Sequence, residues 1–392
     1  MNFLEKLLDG VAVEWKTLGK VATLRRGRVM SKGYLVDNAG SYPVFSSQTV
    51  NNGVIGKINT FDFDGEFISW TTDGANAGTV FYRSGKFSIT NVCGLIRIND
   101  KSNLNYKFLF YWLTIEAQRH VYSGMGNPKL MSHQVEKIPI PIPCPDNPEK
   151  SLAIQAEIVR ILDTFTALTA ELTAELTAEL TDRKKQYNYY RDRLLTFEKG
   201  EVEWKTLGEI GAILRGTAIT EKEANLGDYP VVANGSSHNY FHDQSNRSGE
   251  TIVIARSGVY AGLVSYWDIP IFLTDAFSIH PDNNALSTKF LYYVLKKDQI
   301  KIHNMSKGAG VPHVRAKDFE SYKVPVPPLE EQARIVAILD KFDTLTTDLS
   351  EGLPREIALR QKQYEYYRDL LLTFPNPEEV ETHLNSMEKS HG

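Results

Sequence analysis

The chain has 392 residues, 42% hydrophobic and 23% charged, with a formal net charge of −4, enough apolar material for more than one core. No apolar run approaches the roughly 20 residues of a membrane span, and no signal-peptide pattern opens the sequence. Two cysteines without paired spacing, Cys93 and Cys144, argue against disulfides and zinc and for a cytoplasmic protein with no membrane association. The total excludes a uniformly basic nucleic-acid binder but hides a gradient: residues 1–150 carry 17 basic and 13 acidic side chains, residues 329–392 carry 7 and 13. Any polyanion must therefore be met by local patches.

In chain order, Leu7-Leu8 and Val13-Glu14-Trp15 open the first half, and EWKTLG follows from Glu14 to Gly19. Short β-branched and aromatic runs broken by Gly, Asn and Asp then predict strands and turns. Lys137 to Pro141 reads KIPIP, and its alternating prolines require an extended segment outside helix or central strand. A helix follows, with apolar residues at Ile154, Ile158, Ile161, Phe165, Leu168 and Leu172 alternating by 4 and 3, a coiled-coil seam. Thr169 to Leu180 reads TAEL three times, so Leu176 and Leu180 continue at steps of 4.

The second half repeats the first. EWKTLG returns at Glu203 to Gly208, and Gln332 to Phe374 echoes Gln155 to Phe197 at a constant offset of 177 residues. Its helix carries a matching seam from Ile335 through Phe342, Leu349 and Tyr367 to Phe374, with Gly352 and Pro354 expected to kink or weaken it. Leu194-Leu195 before Val202-Glu203-Trp204 echoes the N-terminus, so the repeat is circular and the C-terminal helix should complete the unit that the N-terminus opens. The expected fold is α+β: two globular α/β domains, each followed by a long helix, the helices pairing as an antiparallel coiled coil within a pseudo-twofold duplication. The boundaries are 1–148, first domain; 149–199, central helix; 200–328, second domain; 329–374, C-terminal helix; and 375–392, an acidic tail expected to be disordered.

The TAEL run forms helix readily. Four helical residues also advance about 6 Å with a net turn of about 40°, against about 3.4 Å and roughly 35° for a base pair of B-DNA. One unit more or less would turn one end of the spacer by nearly a base-pair step. Thr169, Leu172, Leu176 and Leu180 are its spacer positions.

EWKTLG in both halves, the Ile-Pro-Ile-Pro exit, EQARIVAILDKF from Glu331 and QYEYYRDLLLTF together resemble the specificity subunit of type I restriction–modification enzymes, over residues 1–374. The TAEL run is similar to the group called type IC. The resemblance implies two target recognition domains that each read half of a split, asymmetric sequence in double-stranded DNA, with the paired helices setting the gap. It also implies two modification subunits carrying S-adenosylmethionine and adenine N6 chemistry, and two restriction subunits that use ATP and Mg. This subunit would itself bind no cofactor and carry no catalytic residue. The residues fit that expectation: there is no Asn-Pro-Pro-Tyr motif, no GxGxxG after a strand and no Walker A string. His238 and His242 stand four apart without an evident third ligand, so no metal site is expected. The alternative is a coiled-coil scaffold with two binding heads for partners other than DNA.

Base reading calls for Arg, Lys, Asn or Gln on surfaces that enter the major groove. In the first domain the candidates are Arg25, Arg26, Arg28 and Lys32; Ser46 and Gln48; Thr72 and Asn76; and Asn127 and Lys129, whose loop matches one that meets DNA in the family. The landmarks that recur in the second half give Arg215; Asn234, Ser236 and His238; Arg256 and Tyr260; and Lys307, His313 and Arg315. The loops differ between halves while the landmarks persist, so the expected target is asymmetric.

Overall fold

The computed structural model describes residues 3–124, 126–198, 200–235, 238, 240–307, 310–348 and 350–375. Two compact units emerge: one holds the chain up to Thr173 together with the chain from Leu359 on, the other is Ala174–Ala358. Their boundaries fall inside helices, at Thr173/Ala174 and Ala358/Leu359, rather than at the ends of the strand regions. Each half-helix belongs with the strands it packs on.

In the first unit β1 (Val13–Thr17) carries the EWKT motif. It pairs antiparallel with β8 (Pro139–Pro143), Trp15 opposite Pro141. Residues two apart direct their backbone groups to the same edge. Alternating prolines therefore leave all their missing N–H groups on the side away from β1, and the extended exit becomes a two-stranded ribbon. Between these ends lie β2 (Ala22–Arg26), β3 (Ala39–Phe45), β4 (Val54–Ile58), β5 (Phe63–Thr71), β6 (Val80–Ile89) and β7 (Cys93–Ile98), in a sheet of order β2-β7-β5-β6-β3-β4. One core packs Ile68, Trp70 and Ile96 against Phe108, Leu109 and Leu113 of helix Tyr106–Arg119, and takes in Ile154, Ile158 and Leu162 of the central helix. A second joins Phe45, Phe87, Ile89 and Leu95.

The second unit rebuilds this plan. Its strands are β9 (Glu203–Thr206), β10 (Gly211–Arg215), β11 (Tyr229–Val232), β12 (Phe241–His242), β13 (Thr251–Ala255), β14 (Val264–Trp267), β15 (Phe272–Leu273), β16 (Ala276–Pro281) and β17 (Lys323–Val326). β9 pairs with β17, Trp204 opposite Pro325. The order β10-β16-β13-β14 repeats β2-β7-β5-β6, but β11, β12 and β15 form a separate sheet. The single long β6 is here replaced by β14 and β15, with Asp268-Ile269-Pro270 between them; proline cannot donate to a ladder.

The central helix runs uninterrupted from Pro148 to Leu194. Its partner is two helices, Leu329–Thr347 and Leu353–Leu371. The break goes further than a kink: Asp348 accepts from Ser350 N at 2.6 Å, and Pro354 falls in the first turn of the new helix, where its missing N–H costs nothing. The same ring pair recurs in both units with the sequence halves exchanged. Phe165 stacks on Tyr367 at 5.6 Å in the first unit, and Phe342 on Tyr190 at 5.8 Å in the second. Leu168 departs from the expected seam and is 48% exposed. Thr169 takes the half-buried position instead, four residues on from Phe165, and Leu172, Leu176 and Leu180 follow it, also half-buried. Steps of 4 are the ones that unwind a supercoil. Leu349, another expected seam member, and the tail from residue 376 lie outside the described residues.

The circular repeat closes in the first unit. Leu4 and Leu8 share a core with Leu371, Leu372 and Phe374, and Trp15 Nε1 donates to Pro375 O at 3.1 Å.

Candidate nucleic-acid interface

Two of the candidate loops of the first unit are joined by backbone. Gly74 N donates to Pro128 O at 3.0 Å and Leu130 N to Thr72 O at 2.9 Å, while Tyr122 and Lys129 exchange hydrogen bonds at 2.9 and 3.0 Å. The second unit repeats the joint. Gly258 N donates to Pro312 O at 3.1 Å, Val314 N to Arg256 O at 2.9 Å, and Lys307 and His313 exchange bonds at 2.9 and 3.0 Å. One backbone frame thus presents Lys129 in one unit and His313 in the other, both exposed.

Around this frame in the first unit, Arg26 Nη2 donates to Asn91 O at 2.8 Å and to Thr72 Oγ1 at 3.3 Å. Asn76 Nδ2 donates to Ser47 O at 3.3 Å, and Thr90 Oγ1 to Ser46 Oγ at 2.9 Å. The rim therefore gathers Arg26, Ser46, Thr72, Asn76 and Lys129. Thr72 is buried, with Asp73 and Val92 O both within hydrogen-bond reach of its hydroxyl, and Gln48 Nε2 is committed to Val54 O at 2.6 Å. In this structure both side chains serve the loop's own shape. Arg28 is turned toward Asp62 at 3.0 Å and Tyr34 at 3.1 Å. Those hydrogen bonds, to Tyr34 first and Asp62 next, hold its pKa above the ordinary arginine value. Arg25, Lys32 and Asn127 are exposed.

The second unit has a cleft of about 970 Å³ whose lining includes Arg215, Arg256, Lys307, His313 and Arg315, together with Asp275 and Glu223. Two of these lining residues, Arg256 and Asp275, are held by Asn234. Oδ1 of that residue accepts from Arg256 N at 2.7 Å and Ser257 N at 3.0 Å, and Nδ2 donates to Ser257 Oγ at 2.8 Å and to the Asp275 carboxylate. Both ends of the Asn234 amide are thus engaged with the loop that carries Arg256 and with Asp275. Asp275 also faces Arg256, at 3.5 Å. His238 packs edge-on against Phe241 at 4.8 Å, apart from that lining. Tyr260 is 52% exposed. Ser236 lies outside the described residues. Among the described residues no cluster of His, Cys, Asp and Glu could hold a metal.

Sequence reasoning passed over the Thr90-Asn91 and Thr274-Asp275 turns. Asn91 supplies the carbonyl that holds Arg26, and Asp275, with φ +37°, sits in the left-handed region. Their signal was in the text: a Thr-Asx pair occupies the same place in each half, and Asx residues tolerate that conformation. The glycines after Arg26 and Arg215 are also explained. A Cβ on Gly27 would lie 2.2 Å from Ile89 O, and one on Gly216 2.7 Å from Leu273 O, so both arginines ride on a backbone crossing that only glycine permits.

Two copies of one recognition scaffold, each ending in a basic loop junction, define a duplicated sequence-selecting protein. Residues 11–182 and 199–359 each match the family described as the type I restriction modification DNA specificity domain. The specificity subunit of EcoR124I/EcoR124II from Escherichia coli is 39% identical, covering 97% of this chain and 99% of its own. That of EcoprrI, also from Escherichia coli, is 36% identical over 90% and 92%. Among solved structures, the S subunit of a type I restriction–modification system from M. genitalium covers 96% of this chain and 100% of its own, with a TM-score of 0.53 at 22% identity. A chain from work on complex assembly and conformational transition of the type I system covers 92% and 97%, with a TM-score of 0.64 at 16% identity; these two likenesses speak to fold. The chain belongs to the type I restriction–modification DNA specificity family. It is a specificity subunit, working with DNA and the other subunits of such a system, and the catalytic activities lie in those partners.

Proposed function

We propose that the two units read the two halves of one bipartite, asymmetric DNA site, the first through the rim at Arg26, Asn76 and Lys129, the second through the cleft at Arg215, Arg256, Lys307, His313 and Arg315. The observation that carries this reading is the loop junction built twice on one backbone frame with different side chains presented. Identical frames would meet DNA alike; different side chains would select different bases. The helical segments between the units would set the gap, with Thr169, Leu172, Leu176 and Leu180 at the adjustable stretch.

In the same reading, two modification subunits dock on the repeated helices, whose outward Tyr189 and Tyr366 are 59% and 64% exposed. Two restriction subunits join through them. S-adenosylmethionine, ATP and Mg belong to those partners, this subunit holds no cofactor, and the assembly works in the cytoplasm. The test is methylation-sensitive sequencing of DNA from cells that carry the chain with its modification subunits. The expected result is one split motif, and removal of one TAEL unit should alter its gap and keep its letters. A motif with no fixed gap, or letters that change with the deletion, would count against the reading.

A further inference from the structure

In both units the recognition domain is bolted to its helix at two points. In the first, the fully buried Gln155 of the central helix accepts from Asn105 N at 2.9 Å and donates to Asn103 O at 3.0 Å. Further along the same helix, Asp163 accepts from Lys107 Nζ at 2.5 Å and Tyr111 OH at 2.7 Å. The second unit repeats both bolts. Gln332, also fully buried, accepts from Ser287 N at 2.8 Å and donates to Ala285 O at 2.9 Å. Asp340 accepts from the hydroxyl of Tyr293 and faces Lys289 Nζ at 3.4 Å. In each unit the aspartate follows the glutamine by about 12 Å of helix.

Apolar packing between domain and helix is abundant in both units, but it is non-directional and tolerates sliding. Hydrogen bonds are directional, and the aspartate's are charge-assisted as well. Two such points spaced along a helix oppose rotation and tilt of the domain against it. A DNA site whose gap is wrong by one base pair asks the reading loops to move by about 3.4 Å and to turn by roughly 35°. The joint that yields most easily decides how well that site is tolerated.

We propose that the Gln155–Asp163 and Gln332–Asp340 brackets are positioning devices that determine how narrowly the gap between half-sites is selected. The proposal rests on the two-half-site reading above. It assigns gap selectivity to the joints between domain and helix, as well as to the length of helix.

The experiment uses the full chain assembled with its modification subunits. The substrate is a library in which both half-sites are fixed and the gap is varied, read by methylation-sensitive sequencing. Asp163→Ala, and Asp340→Ala combined with Tyr293→Phe so that no buried hydroxyl is stranded, each cut the outer bolt. The preference for the correct gap over gaps one base pair shorter or longer should fall about tenfold, the scale of one hydrogen bond to a charged group. The letters of both half-sites should stay as they are. Asp163→Asn and Asp340→Asn keep the side-chain volume and give the same direction of change if the alanine variants fold poorly. An unchanged gap profile in folded variants, alongside a shifted one after TAEL deletion, overturns the bracket proposal and leaves the spacer reading standing. A gap that ignores the TAEL deletion removes that reading and the proposal with it. Half-site letters that change while the gap profile holds would place the aspartates in support of the reading loops and also overturn the proposal.

Discussion

Arg256 stands where the second cleft meets its own scaffold: its amide is fixed by Asn234, and its guanidinium is half-exposed beside Asp275. A side chain held by its base and exposed at its tip, where one nitrogen faces Asp275 at 3.5 Å, can still offer its remaining donors to a base. Arg256→Ala should cost about 1–3 kcal/mol of specific affinity and relax one position of the second half-site only. Lys307→Ala should weaken binding evenly across sequences and lower the salt slope by about one. Binding titrations against base-substituted sites at several salt concentrations separate the two, and a uniform loss from Arg256→Ala would rule out base reading there. The glycines supply a stability prediction at the same scale. Gly27→Ala drives a methyl into Ile89 O at 2.2 Å, Gly216→Ala into Leu273 O at 2.7 Å. Gly27→Ala should be the worse of the two, at about 2–3 kcal/mol or more. Denaturant unfolding measures both, and equal midpoints would refute the ranking.

At the scale of elements, Pro354 illustrates how position decides cost. Inside a continuous helix its replacement by alanine would gain about 3 kcal/mol. In the first turn of the helix that begins at Leu353, Pro354→Ala should shift stability by less than about 1 kcal/mol and leave helix content unchanged. Circular dichroism during thermal melting checks this, and a large gain in helix would mean that the two C-terminal helices fuse. Elements of this kind show why parts of the fold were legible in the sequence. The central helix, the exits at Pro139–Pro143 and the circular repeat are local patterns or literal copies. Leu168 was misplaced because a strict heptad drifts relative to a 3.6-residue helix, and only tertiary contact reveals which residue turns inward. The split of β6 into β14 and β15 was illegible because strand partnership is non-local. The shared backbone setting of Arg26 and Arg215 was legible from the glycine that follows each. The internal commitments of Thr72, Gln48 and Asn234 were not, since a hydrogen-bonding side chain reads the same in a sequence whether its partner is DNA or its own loop.

For the molecule as a whole, the exchange of helix ends has a thermodynamic consequence. The first unit is completed by residues that arrive last in the chain. Phe374 is 6% exposed and packs on Phe108 at 5.9 Å and Trp112 at 6.0 Å, and Leu371 and Leu372 join the core that holds Leu4 and Leu8. The second unit receives its counterparts, Leu195 and Phe197, from the middle of the chain. Phe374→Ala should therefore destabilise the first unit by about 3–5 kcal/mol, the range for a buried Phe→Ala cavity, although the residue lies more than 200 residues from the rim of that unit in sequence. Hydrogen exchange resolved by peptide gives the decisive readout. Protection should fall in β1 and in helix Tyr106–Arg119 while β13, β16 and helix Thr288–Lys297 keep theirs. In the assembled complex the same variant should lose recognition of the first half-site before the second. Equal loss of protection in both units would mean that they unfold as one cooperative block, and the duplication would then be a matter of ancestry and not of two separately completed cores.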